Sequence, residues 1–225
     1  MNHNIQHLGI ILDGNRRFAK KLVLEPWKGH ELGAGKIEKL FDWCSELGIK
    51  QATLYCFSIE NFNRPKKEFD FLMNLFKKEF TKITSDERLE RNGIKINFIG
   101  ERNRFDGELQ EIMKRLENKT SKNTGFIFNF AMAYGGRQEI VNACRKLVSS
   151  GEEISLENLQ KNLWLSEEPD LIIRTGGEIR TSNFLPFQSA YSEWFFLEKM
   201  WPEFEKQDLV ECINEFSNRE RRFGR

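Results

Sequence analysis

Apolar residues follow two rhythms along the chain. Leu8 to Leu12, Ala52 to Phe57, Lys95 to Ile99, Phe126 to Ala131, Leu171 to Thr175 and Trp194 to Phe196 are short runs that stop at polar or glycine-bearing clusters, the signature of strands. Between them the spacing turns helical. From Glu31 to Leu47 the residues Leu32, Ile37, Leu40, Phe41, Cys44 and Leu47 fall mostly on one face, and Gly48 stands where a helix would end. A second stripe, Leu72, Leu75, Phe76, Phe80 and Ile83, predicts a long helix closed near Gly93, while Ser58 to Pro65 reads as a polar loop ahead of it. Strands alternating with longer helices predict an α/β architecture of about six strands in a mainly parallel sheet surrounded by helices. Turn signals at Asn123-Thr124-Gly125, Gly135-Gly136 and Gly176-Gly177 punctuate the chain without a linker or repeat, so residues 1–225 are expected to form a single domain.

Composition narrows the function. With 39% hydrophobic residues over 225 positions a real core is affordable, and Lys+Arg 35 against Asp+Glu 34 leaves a net charge of only +1. Bulk charge therefore gives no reason to expect a nucleic-acid partner, and an anion site must come from local clusters. Arg16-Arg17, Arg174 to Arg180 and Arg219-Glu220-Arg221-Arg222 are such clusters. Cys44, Cys56, Cys144 and Cys212 lie too far apart in sequence for a zinc knuckle or redox dithiol. His3 and His7 have no carboxylate cluster beside them to suggest a metal. The N-terminus lacks a secretory pattern and no apolar run approaches the ~20 residues of a membrane span, so a cytoplasmic protein with at most peripheral membrane contact is expected.

Candidate chemistry gathers where predicted strands end, which is where open α/β sheets hold ligands. Asp13-Gly14-Asn15-Arg16-Arg17 joins a carboxylate to a flexible turn, a helix start and two guanidinium groups, all suited to phosphate oxygens. A plain strand-to-helix turn capped by Asn15 explains the same residues equally well. Ser58 to Pro65 has turn formers in Asn63 and Pro65 and reads as an ordinary connection. In Arg174-Thr175-Gly176-Gly177-Glu178-Ile179-Arg180-Thr181-Ser182-Asn183, paired glycines permit close backbone approach to an anion that two arginines bracket, so phosphate binding is the better reading. Neither the dinucleotide glycine pattern nor the nucleotide P-loop is present, so ATP and NAD are not the expected ligands.

Taken together and in order, Asp13-Gly14-Asn15-Arg16-Arg17, Gly29-His30, Phe57 to Pro65, Tyr134-Gly135-Gly136-Arg137, Arg174 to Phe184 and Trp201-Pro202 closely resemble the cis-prenyltransferases, the family of undecaprenyl diphosphate synthase. The resemblance runs essentially end to end. It implies an enzyme that condenses isopentenyl diphosphate repeatedly onto an allylic diphosphate primer, farnesyl or geranylgeranyl diphosphate, using magnesium and working as a homodimer. On that resemblance Asp13 is the catalytic carboxylate and a magnesium ligand, with Glu193 the second metal-linked carboxylate. Gly14, Asn15, Arg16, Arg17, Phe18 and His30 form the allylic diphosphate cradle, and Ser58, Glu60, Asn61, Phe62 and Arg64 belong to a mobile loop over it. Arg174, Arg180 and Ser182 hold isopentenyl diphosphate, and Arg222 and Gly224 match an Arg-x-Gly tail that completes the neighbouring subunit's site. Either Asn15 or a diphosphate oxygen takes up the proton lost from isopentenyl diphosphate.

Three departures mark this chain. Arg16 and Phe18 stand where bacterial members commonly have Gly and Trp, which points to an archaeal or eukaryote-like subtype. Pro26-Trp27-Lys28 replaces the arginine that relatives often carry before Gly-His, leaving Lys28 or Arg16 to substitute. Ile179 stands where some relatives have a histidine near the metal. Each isoprenyl unit adds five carbons at ~0.8 kcal/mol per buried CH₂, so a growing product is held ever harder and its release is expected to limit turnover, faster with detergent or lipid. Phe126, Phe128 and Phe130 are candidates to line a product tunnel, although ordinary core is the commoner fate of such residues. A non-catalytic partner subunit is the alternative function; it would have no need of Asp13, Asn15, Arg17 and Glu193 together.

Overall fold

The structure, a computed structural model, describes residues 3–219. Six strands form one sheet: β1 (His7–Ile11), β2 (Gln51–Ser58), β3 (Lys95–Ile99), β4 (Ile127–Tyr134), β5 (Leu171–Arg174) and β6 (Glu193–Phe196). Their order across the sheet is β3-β4-β2-β1-β5-β6, and every neighbouring pair is parallel. The helices are α1 (Asn15–Lys21), α2 (Lys28–Leu47), α3 (Lys66–Thr84), α4 (Arg88–Arg91), α5 (Gly107–Thr120), α6 (Gly136–Ser150), α7 (Leu156–Asn162) and α8 (Lys206–Asn218).

The predicted α/β plan is what forms. Gly48 ends α2 in the left-handed conformation, φ 77°, as its place in the sequence suggested. Two details differ. Gly93 follows α4, a separate turn of helix after Ser85 interrupts α3. Ser58 to Pro65 is not a plain loop: Ile59–Asn63 wind into a 3-10 helix, capped where the Ser58 N–H donates to Asn61 Oδ1 at 3.1 Å. Ser-x-x-Asn is a weak relative of the capping box, and without a following apolar run it gave no helix signal.

Alternation along the strands divides the core. Leu8, Ile10, Leu54, Phe98, Phe128 and Phe130 point to one face, where residues of α2, α3, α5 and α8 cover them. Phe126, Phe128 and Phe130 are ordinary core on this face, and Phe130 meets Phe80 and Phe98 at centroid distances of 5.2 and 5.4 Å. Such ring pairs add about 0.5–1.5 kcal/mol each beyond burial. The opposite face holds Ile11, Tyr55, Ala131 and Ile172 against Phe184 and Leu185. It also carries a polar row, buried from Asn129 to His7, in which Asn97 donates to Asn129 (2.9 Å), Asn129 donates to Thr53 (3.0 Å), and Thr53 meets His7 (2.8 Å).

The register positions the site. Ile11 lies level with Tyr55 on one side and Arg174 on the other, so the loops leaving β1, β2 and β5 start at the same height. From β1 the sheet extends to β2 in one direction and β5 in the other, the branching arrangement that opens a crevice beyond the strand ends.

Candidate active site

A cavity of about 830 Å³ opens at that crevice and continues between α2 and α3. Asp13, Arg174 and Arg180 all line it at the polar end, with Ser58, Glu60, Asn61 and Ser182; Leu72, Leu75, Phe76, Phe80 and Ile83 line the oily end. A smaller cavity of about 340 Å³ adjoins it and shares Asp13, Asn15, His30, Arg64 and Arg180, adding Gly14, Arg16 and Arg17. The loops singled out in the sequence therefore do converge.

Asp13 is the hub. One carboxylate oxygen accepts from the Gly14 N–H (2.6 Å) and Arg17 Nη2 (3.3 Å), and the other accepts from Arg174 Nη2 (2.8 Å). Burial works to raise its pKa, but the Arg174 bond, the Gly14 N–H and the charges of Arg174 and Arg17 outweigh it and hold the carboxyl below its ordinary range. Gly14, at φ 102°, makes the turn, and a Cβ there would lie 2.7 Å from Met200. Gly14, not Asn15, caps α1, and Asn15 is its first residue. The Asn15 amide donates to Leu12 O (2.9 Å), while its buried Oδ1 has no partner. Gly33 makes room for it, since a Cβ at Gly33 would come within 2.2 Å of that oxygen.

Arg174 is 3% exposed. It also donates to Ser182 Oγ (2.8 Å) and to the Arg180 carbonyl, tying strand β5 to the loop that follows it. That loop is strained: Ser182, Asn183 and Leu185 all have positive φ, 49°, 64° and 47°. Each such residue costs on the order of 1–3 kcal/mol and persists only when its surroundings hold it. Tyr55 supplies part of the hold by donating to Ser182 O (3.2 Å) and stacking on Phe184 at 4.9 Å. Asn183 adds more, accepting from the Arg137 N–H through Oδ1 (2.9 Å) and from the Gly136 N–H through its carbonyl (2.9 Å). Sequence reading gave no role to Tyr55, which looks like any buried strand residue, or to Asn183.

Glu178 and Glu68 are further carboxylates that the sequence reading left aside. Glu178 pairs with Arg180 (2.6 Å) and Arg17 (3.5 Å). Glu68, in the first turn of α3, pairs with Arg64 (2.7 Å) and Arg16 (3.6 Å) and lies 3.8 Å from the His30 ring. Burial lowers the His30 pKa and outweighs the opposing pull of Glu68, so the ring is neutral at physiological pH.

Other expected site residues are placed elsewhere. Phe18 and Phe62 line neither cavity, and Phe62 packs edge-on against Phe57 at 5.1 Å. Glu193 begins β6 opposite Leu171, whereas the crevice lies beyond Arg174, and Arg219 holds its carboxylate at 2.7 Å. Three strand residues of offset are ~10 Å, so Glu193 and Asp13 do not share one ion within a single chain. Arg222 and Gly224 lie outside the described residues.

Among the described residues no three His, Cys, Asp or Glu side chains gather as a metal cage. Magnesium does not require one, because it is commonly held by one or two carboxylates together with substrate phosphates and water. Asp13, with its low pKa and its place at the junction of both cavities, fits that donor set.

Comparison with known proteins agrees over nearly the whole length. A family model described as "Putative undecaprenyl diphosphate synthase" matches residues 11–224. The chain is 45% identical to a tritrans,polycis-undecaprenyl-diphosphate synthase (geranylgeranyl-diphosphate specific) of Pyrococcus horikoshii, spanning 98% of this chain and 87% of the relative. It is 44% identical to an isoprenyl transferase of Thermus thermophilus, spanning 98% and 89%. Among solved structures, lavandulyl diphosphate synthase from Lavandula x intermedia, in complex with dimethylallyl diphosphate, superposes with a TM-score of 0.90 at 32% identity over 98% of both chains. A probable undecaprenyl diphosphate synthase from Campylobacter jejuni gives 0.86 at 34% identity over 100% of both.

Proposed function

The chain belongs to the undecaprenyl diphosphate synthase family of cis-prenyltransferases, and on that premise we propose how this prenyl-chain elongating enzyme uses its site. Isopentenyl diphosphate and an allylic primer, farnesyl or geranylgeranyl diphosphate, bind side by side and are joined repeatedly into a Z-polyprenyl diphosphate. The observation that carries this reading is the single cavity that Asp13, Arg174 and Arg180 line at one end and Leu72, Phe76, Phe80 and Ile83 line at the other.

The allylic diphosphate is received by Arg16, Arg17, His30 and Arg64 around the smaller cavity. Isopentenyl diphosphate is received by Arg174, Arg180 and Ser182. In each cycle the allylic carbon–oxygen bond breaks, a bond forms to the terminal carbon of isopentenyl diphosphate, and one proton leaves. The diphosphate departs with growing negative charge, and fixed guanidinium groups stabilise it there. Each charge-assisted bond contributes about 1.5–3 kcal/mol, or tens-fold in affinity. Asp13 would hold magnesium together with phosphate oxygens, and the bound ion supplies further stabilisation of the leaving charge. The unpartnered Asn15 Oδ1 supports its candidacy as proton acceptor, with a diphosphate oxygen as the other candidate. Apolar walls keep water from the reacting allylic carbon and receive the growing chain.

A homodimer is part of the proposal. Exposed Val148, Ile154 and Leu156, at 68%, 61% and 72%, offer an apolar surface around α6 and α7 for a second copy. Peripheral membrane contact at a cytoplasmic face is supported by Leu22, Val23 and Leu24, exposed beside Lys20 and Lys21; among the described residues no helix is long and apolar enough to cross a membrane. Sedimentation alone and with anionic vesicles tests both: a monomer at every concentration overturns the first, and no co-sedimentation the second.

Incorporation of labelled isopentenyl diphosphate by purified protein is the deciding measurement. Incorporation is expected with magnesium, and loss of at least about a hundredfold with a chelator or in Asp13→Ala. A wild type as inert as the variant overturns the reading.

A further inference from the structure

Glu68 is a buried charge at the edge of a site built to hold an anion. It is 3% exposed, and a carboxylate so placed is tolerated only with close cationic partners. Its partners are the groups assigned above to the allylic diphosphate. Arg64 Nη1 donates to Glu68 Oε1 at 2.7 Å and lies 3.3 Å from His30 Nε2. Arg16 Nη1 approaches the other carboxylate oxygen at 3.6 Å. His30 Nε2 stands between Arg64 and Glu68, 3.3 Å from Arg64 Nη1 and 3.8 Å from Glu68 Oε1. One carboxylate thus balances Arg16 and Arg64 and reaches His30, while Asp13 balances Arg17 and Arg174.

These contacts span three elements: Arg16 on α1, His30 on α2, and Arg64 just after the 3-10 helix over the cavity. Glu68 itself begins α3, whose later turns wall the oily end. An arriving diphosphate must draw Arg64 away from Glu68 or share it, and a departing one leaves Arg64 for Glu68 to reclaim. We propose that Glu68 is the resident counter-anion of the allylic cradle: it holds Arg64 and Arg16 in position when the cradle is empty and competes with diphosphate for them when it is full. It is a positioning residue, not a catalytic one, and the proposal rests on the diphosphate-cradle reading above. Its consequence is opposite to that of an ordinary structural carboxylate, because removing the charge tightens anion binding.

The probe is inorganic pyrophosphate, titrated calorimetrically into full-length protein with magnesium. Glu68→Gln is expected to bind it on the order of tenfold more tightly, the scale of one unit charge acting over several ångströms at an effective dielectric near 20. Its KM for the primer should fall, and multiple-turnover kcat should fall as release slows. Glu68→Asp keeps the charge but withdraws it by one methylene, so a smaller tightening is expected, and this variant decides the matter if Glu68→Gln does not fold. Unchanged or weaker pyrophosphate binding in both variants overturns the proposal. Arg64→Met separates the two layers of inference. If it weakens pyrophosphate while Glu68→Gln fails to tighten it, only the counter-anion role falls; if Arg64→Met changes nothing, the cradle reading falls with it.

Discussion

The two ends of the main cavity are built on opposite principles. At the mouth, Asp13, Arg174, Arg180 and Ser182 are held by charge-assisted bonds and by a strained loop, and two buried polar atoms, Asn15 Oδ1 and Arg174 Nε, have no hydrogen-bond partner. At the floor, Phe76, Phe80 and Ile83 sit against the same aromatic cluster that makes the core, with Glu38 and Glu79 the charged side chains beside them in the lining. The mouth discriminates by charge geometry, in which a displacement of an ångström is costly. The apolar part of the floor discriminates by volume, because each added methylene contributes similarly wherever it lies. Rate should therefore be governed at one end and product length at the other.

The sharpest way to break this division is Arg174→Met. It removes the buried guanidinium that joins Asp13 to Ser182 and the Arg180 carbonyl, leaving those acceptors unpaired. Single-condensation rates are expected to drop by at least a hundredfold, from the loss of two or more charge-assisted bonds of about 1.5–3 kcal/mol each, with product length in the residual activity unchanged. A shift in length would show that the ends are coupled. A smaller effect is expected of Phe80→Leu at the floor, which opens space beside Phe98 and Phe130. Chromatography of the product should show one or more additional five-carbon units, with the first condensation slowed by less than about threefold. Equal product length would mean that the floor does not measure the chain.

The smallest effect on activity is expected away from both ends, at His7 in the polar row. Burial lowers its pKa from 6.5 to about 4. The unfolded chain then binds the proton more readily than the folded one, so stability is complete above pH 6.5 and falls as pH drops toward 4. The loss approaches about 3 kcal/mol, at 1.36 kcal/mol per pKa unit. His7→Gln should flatten this acid limb in thermal melts at unchanged primer KM; an acid limb identical to wild type would assign the loss to other groups.

Much of the fold was legible because its signals are local. Buried parallel strands read as apolar runs, α2 ends at a glycine, and Lys95–Ile99 needs no neighbour to be recognised as a strand. The capped 3-10 helix at Ile59–Asn63 was not, since a polar segment with one weak cap lacks periodicity. At the site, Asp13, Arg174 and Arg180 stood out because carboxylates, glycines and arginines clustered at strand ends. Glu68 did not, because Lys66-Lys67-Glu68 has the pattern of a solvated helix start. Tyr55 was equally hidden, since whether a strand tyrosine fills space or holds a loop depends on a carbonyl more than a hundred residues away, at Ser182.

By itself the sequence determined the order of strands and helices, the chemical character of the loops and, through several phrases in register, the family. These follow from short-range periodicity and residue type. Tertiary structure alone decided that Ile11, Tyr55 and Arg174 lie level, so that three distant loops meet. It also decided that Glu68 is buried among Arg16, His30 and Arg64, and that Glu193 begins its strand away from Asp13. Strand register and the burial of a charge depend on which segments pack together, and no local pattern encodes that.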